Sequence, residues 1–282
     1  MALIDPQFDQ FLLNALRVLR GYLDDVVLVG GCANALYRYA PDAGTCLTRP
    51  MVTYDLDVAT ASSLPRRGES LSALLSQAGF APDKEGRPTN KYQLAAGGNM
   101  TMEFLCPMTA LSTKVKEQRP ALVTLPADAT AEALDYLDLL LLNPLRINLR
   151  NVPPLEVQKD FHVRVPNPVG YVMQKVLVRT RRASLQKRKK DSYYMYETAL
   201  VFRAAGRIRR EAQSLAGQFP TKWGKRFAQD AAALYGHENA EGVQDAVEVA
   251  QANRVELDKT MVFRTMSKLV AEIAEGLSSP LV

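Results

Sequence analysis

The feature that most constrains this chain is a break in character at Pro168. Before it, short apolar and β-branched runs are punctuated by glycine and proline; after it, only helical stretches can be drawn. Short runs bounded by turn formers are strand signals, whereas apolar residues recurring at spacings of three and four mark one face of a helix. The expected fold is therefore an α/β (α+β) part with a short mixed sheet over 1–167, followed by an all-α helical part over 168–282. A chain of 282 residues has room for both, at about 100–200 residues per domain.

Within the first part, Phe8, Phe11, Leu12, Ala15, Leu16 and Leu19 predict an amphipathic helix over 7–20. Val26-Val27-Leu28-Val29 reads as a buried strand that runs into Gly30-Gly31, and Cys32 to Tyr37 then starts a helix. Pro41, Gly44 and Pro50 predict a loop over 41–52. Tyr54 to Thr60 alternates acidic and apolar residues, the mark of a half-buried strand, and a helix is expected at 69–78 before Gly79. Strands at Lys91–Ala95 and Thr101–Leu105 flank Gly97-Gly98-Asn99, a hairpin turn signal. The region 107–167 reads as mixed structure, with apolar pieces at 134–142 and a strand at Phe161–Val165. Helical stretches follow at 168–182, 187–204, 206–216, 222–235 and, in two pieces, 239–275.

Composition narrows the function classes. Hydrophobic content of 47% and charged content of 23% exclude wholesale disorder. The cysteines Cys32, Cys46 and Cys106 form no CxxC pair and are odd in number, which argues for a reducing compartment. With only His162 and His237 present, any metal is expected on carboxylates. Neither a signal peptide nor a span is legible: apolar runs such as Leu139 to Leu142 are far short of about 20 residues. A cytoplasmic protein with no membrane partner is expected. The net charge of +5 hides a strong polarity: residues 175–226 carry 15 basic and 3 acidic groups, while the other 230 carry 20 and 27.

Two constellations in the first part carry chemistry. A Gly-Gly turn at a strand-to-helix junction lets an anion approach the backbone and the free N–H groups of the helix start, although alone it is only a turn. Asp55-Leu56-Asp57 on a strand points both carboxylates to one face, where they repel unless a cation sits between them. A lone DxD would be a solvated edge. Glu103, between apolar Met102 and Phe104 on another strand, supplies a third acid. Together with Gly30 and Gly31, these residues read as a magnesium–nucleotide site, with Asp55, Asp57 and Glu103 as metal ligands. Further along, Lys175 in an apolar helical stretch either covers core with its stem or reaches phosphate. Asp191 opens the next expected helix, where an acid suits the dipole.

Val29-Gly30-Gly31, Asp55-Leu56-Asp57 and Glu103 together resemble the signature of the polymerase-beta-type nucleotidyltransferase superfamily. Pro168, Lys175, Arg181-Arg182 and Lys190-Asp191 resemble the bacterial AbiEii-type group, which includes toxins of toxin–antitoxin systems. The resemblance covers residues 25–200. It implies that Gly30, Gly31, Lys175, Arg181 and Arg182 bind an NTP such as ATP. It also implies that Asp55 and Asp57 hold Mg2+ or Mn2+, that Glu103 completes the metal site or acts as base, that Asp191 belongs to the catalytic set, and that an antitoxin protein is a partner. The chain departs from the pattern at Cys32, where serine or threonine is usual, at the long Gly30–Asp55 spacing, and at Glu103, where aspartate is commoner.

Arg179, Arg181, Arg182, Lys187, Arg188, Lys189 and Lys190 crowd one junction. Like charges at that density call for an anion, and a phosphate backbone is the natural one, so Arg179 and Lys187 to Lys190 are expected to contact nucleic acid. Tyr193, Tyr194 and Tyr196 read as core rather than as base-stacking groups. The resulting expectation is nucleotidyl transfer to an acceptor hydroxyl, favouring an RNA or tRNA 3′ end. A small-molecule or protein acceptor, or an inactive module of the same fold that binds RNA or a partner, stays open.

Overall fold

The computed structural model describes residues 3–45, 50–51, 53–84, 88–94, 99–108, 121–155 and 161–279. Cys46 and the expected Gly97-Gly98 turn lie outside the described residues. Two compact units result: Met1–Tyr39 with Pro50–Pro166, and Ala40–Arg49 with Asn167–Val282.

The first unit is built on a mixed sheet. Strands β1 (Val26–Val29), β2 (Asp55–Thr60), β5 (Thr101–Pro107), β4 (Lys91–Leu94) and β3 (Phe80–Pro82) lie in that order. β7 (Thr130–Leu134) continues along the β5 edge beyond β4, and β6 (Leu122–Thr124) pairs with β7. β2 and β5 run parallel, whereas β1 and β4 are antiparallel to their neighbours. A separate ribbon pairs β8 (Leu145–Asn148) with β9 (His162–Val165), the strand expected before Pro166. All four residues of β1 are buried, as a continuous apolar run requires, while β2 alternates at its start and buries Leu56 and Val58.

Helix α1 (Pro6–Val18) starts where the chain gives it a cap. The Asp5 carboxylate accepts from the backbone N–H groups of Gln7 and Phe8 at 2.9 Å each, worth about 1 kcal/mol. Its expected stripe, Phe8, Phe11, Leu12, Ala15 and Leu16, is buried, and the Phe11 ring packs 5.8 Å from that of Phe80. Helix α2 (Gly30–Leu36) follows β1 without a linking residue, and α3 (Leu71–Gln77) is capped by Ser70. The apolar piece at 134–142 becomes the end of β7 and the short α4 (Asp138–Leu141).

The second unit is helical: α5 (Pro168–Val178), α6 (Leu185–Val201), α7 (Arg207–Leu215), α8 (Thr221–Tyr235), α9 (Glu241–Ala252) and α10 (Lys259–Ser278). α5 is buried along nearly its whole length, with Asn167 capping its start. It ends earlier than the sequence suggests, since Arg179–Arg181 forms a 3-10 turn. α6 begins earlier, because the Ser184 hydroxyl accepts from the Lys187 N–H and caps it. Asp191 therefore lies in the second turn of α6 rather than at its opening. Tyr193, Tyr194 and Tyr196 are buried, as read. α7 and α10 approach so closely that a Cβ on Gly276 would meet Ala212 Cβ at 2.6 Å. Among the described residues no helix is long and apolar enough to cross a membrane.

Candidate active site

Strand pairing assembles the carboxylate face. Asp55 stands opposite Thr101 and Asp57 opposite Glu103 across the parallel β2–β5 pair. Because side chains alternate along a strand, these four residues share one face. On the far side of β5, Lys91 stands opposite Glu103, and on the near side Val29 stands opposite Asp57. One row thus runs Val29, Asp57, Glu103, Lys91. Asp55, Asp57 and Glu103 are all half-buried, so the face stays open to solvent.

Gly30 places the helix start against this row. Its φ of +65° lies in the left-handed region, and a Cβ there would overlap Asp57 Oδ2 and sit 3.2 Å from Asp57 Cγ. No side chain fits, so backbone and carboxylate are in direct apposition. Gly31 is the second residue of α2 and is buried. Cys32 is fully buried, and its thiol is pushed far up by burial first and then by Asp57 and Asp9, which leaves it protonated and inert.

The three carboxylates are adjacent but not gathered. The Thr101 hydroxyl donates to Asp55 Oδ1 at 2.7 Å. Glu103 is ion-paired with the Lys91 ammonium. Burial works against the charge on Lys91, yet Glu103, and behind it Asp55 and Asp83, hold its pKa above the ordinary value. Among the described residues no group of three or more His, Cys, Asp or Glu side chains stands ready as a metal cluster. The donor chemistry nevertheless suits a hard divalent cation at Asp55 and Asp57, which offer only oxygens from one face.

The second unit gathers the downstream set differently from the sequence expectation. Lys175, with 4% of its side chain exposed, donates to Asp191 Oδ1 at 2.5 Å, and Arg182 reaches Asp191 Oδ2 at 2.6 Å. The Lys175 ammonium also lies 4.6 Å from the Tyr171 ring centroid and 5.2 Å from that of Tyr194. Arg179 is buried too, bound to Asp245 at 2.5 Å and Glu241 at 2.8 Å, and donates to the Ser192 hydroxyl. Lys189 pairs with Glu248, and Lys190 sits over the Tyr194 ring. Of the expected nucleic-acid set, Arg179 and Lys189 are thus engaged by α9. Lys187 is exposed and Arg188 half-buried; Arg181, assigned to the nucleotide, is exposed.

A family model described as Nucleotidyltransferase matches residues 12–215, well over half of the chain. The chain belongs to that family. The matched stretch of this nucleotidyltransferase contains every residue assigned to the site above. An antigenic nucleotidyltransferase-like protein from Paracoccidioides brasiliensis is similar in structure over 91% of this chain and 96% of that chain. That similarity is at 16% identity and a TM-score of 0.42. No curated protein matches.

Sequence reasoning missed three things in this nucleotidyltransferase. Lys91 and Thr101 both contact the carboxylates, and the hairpin that sets Lys91 against Glu103 was the signal for the first. The third is the acidic stripe Glu241, Asp245, Glu248 on α9. Its spacing of four and three puts all three acids on one helical face.

Proposed function

We propose that this nucleotidyltransferase moves a nucleoside monophosphate from an NTP, ATP among them, to an acceptor hydroxyl and releases pyrophosphate. The observation that carries the reading is the apposition of the Gly30 backbone to Asp57, with Asp55 on the same face. Gly30 and Gly31 offer N–H groups to the triphosphate, and Asp55 and Asp57 would hold Mg2+ or Mn2+. A bound divalent cation supplies neutralisation of phosphate charge and acidifies the attacking hydroxyl. The new bond joins the acceptor oxygen to the α-phosphorus as the link to the β-phosphate breaks, and the hydroxyl proton passes to a carboxylate of this face. Positioning and electrostatics do the rest, as in phosphoryl transfer generally.

The favoured acceptor is an RNA 3′ end. Lys187, Arg188, Lys189 and Lys190 all lie in the first turns of α6, where the helix dipole is positive and cations are unfavourable. A polyanion there offsets that cost. In vitro labelling of total RNA with each NTP tests the proposal, with the Asp55→Ala/Asp57→Ala double variant as control. Equal labelling by both proteins sinks it. NTP turnover indifferent to RNA moves the acceptor to a small molecule or protein. The toxin-like reading of the AbiEii type adds that expression arrests growth, that the double variant does not, and that an antitoxin partner relieves the arrest.

A further inference from the structure

The carboxylate face already carries a cation. Lys91 faces Glu103 because β4 and β5 pair in that register, and Glu103 in turn faces Asp57. The start of β4 is itself fastened: the Lys91 N–H donates to the Thr89 hydroxyl at 3.1 Å, and that hydroxyl donates to Asp83 Oδ1 at 2.5 Å. The ammonium therefore reaches Glu103 from a fixed strand position. Glu103 is 12% exposed and Lys91 39% exposed, so the carboxylate is the more withdrawn partner. Without Lys91, three adjacent carboxylates would face one another across two strands; with it, one of the three is neutralised.

Resting on the nucleotidyl-transfer reading of this face, we propose that Lys91 is a resident counter-cation that competes with the divalent metal for Glu103. Metal then binds through Asp55 and Asp57, and Glu103 joins the ligand set only when Lys91 releases it. Lys91 is a positioning residue for Glu103, and its charge lowers the affinity of the face for any second cation. Removing one positive charge a few ångströms from the site is expected to tighten a divalent cation about tenfold.

The test titrates the full chain with Mn2+ alone, without nucleotide, and reads free Mn2+ by electron paramagnetic resonance. Lys91→Met, Glu103→Gln, the double variant and Asp57→Asn are compared with wild type, each checked by circular dichroism and thermal melting, with Lys91→Gln replacing any Met variant that melts early. Lys91→Met should tighten Mn2+ about tenfold. Glu103→Gln should loosen Mn2+ by a similar factor in wild type, where it leaves the Lys91 charge unneutralised, and should bring the Lys91→Met background back to about wild-type affinity. The proposal is overturned if Lys91→Met leaves Mn2+ binding unchanged, or if Glu103→Gln alone weakens it as much as Asp57→Asn. Either result leaves the metal reading of Asp55 and Asp57 standing. Absence of Mn2+ binding in every variant overturns both.

Discussion

Asp57 Oδ2 occupies the space in which a side chain on Gly30 would begin. The two residues are neighbours through fold, not sequence. β1 delivers Gly30 and the antiparallel β2 delivers Asp57 opposite Val29. The turn proposed to bind phosphate and the carboxylate pair of this nucleotidyltransferase are thus parts of one packing event.

Gly30→Ala should destabilise by about 2–3 kcal/mol, from a left-handed conformation costing about 1–2 kcal/mol plus the overlap with Asp57. In an Asp57→Ala background only the conformational part should remain. A double-mutant cycle by urea unfolding measures the difference; equal costs in both backgrounds would show that the carboxylate does not press on Gly30.

Asp191→Ala should cost about 3–5 kcal/mol, because it leaves the buried Lys175 cation without its carboxylate. Replacing the pair together, Lys175→Met with Asp191→Leu, should recover most of that. Chemical unfolding tests both. An Asp191→Ala variant with wild-type stability and no activity would instead mark a catalytic acid.

Burial raises the Tyr235 hydroxyl to about 12, more than the Ser192 hydrogen bond and Arg179 lower it. The folded state thus keeps its proton while the unfolded chain releases it near pH 10. The resulting stability is complete below the unfolded pKa and is lost as pH rises towards 12, by about 1.4 kcal/mol per pH unit within that window. Urea midpoints at pH 9 and 11 should differ less for Tyr235→Phe than for wild type.

Exposed and engaged cations should separate by salt. Lys187→Ala should weaken RNA binding uniformly across sequences, reducing the log–log salt slope by about 0.7 for a single-stranded site. Arg179→Ala should lower the melting temperature instead, since it strips Asp245 of a buried partner. Filter binding at several salt concentrations, alongside melting, distinguishes the two classes.

Much of this was legible in the residues. The Val26–Val29 run and the acidic alternation at Asp55–Asp57 are local patterns, so periodicity revealed them. The shared face of Asp57 and Glu103 needed only the alternation of a strand and a guess that β2 and β5 are neighbours. What stayed hidden depends on partners distant in sequence. Nothing around Lys175 announces that its ammonium is enclosed by Asp191, Tyr171 and Tyr194. The charge of 175–226 likewise read as unpaired because its counter-ions Glu241, Asp245 and Glu248 lie outside that window.

That last separation bears on how small the protein can be made. The family match ends at residue 215, yet the acids that hold Arg179 and Lys189 are supplied by α9, and Gly276 of α10 seats α7. A chain cut after Leu215 would keep every residue assigned to chemistry and lose the groups that make a buried arginine tolerable. The residues proposed for chemistry and the groups that hold Arg179 in place therefore end at different points along the same polypeptide.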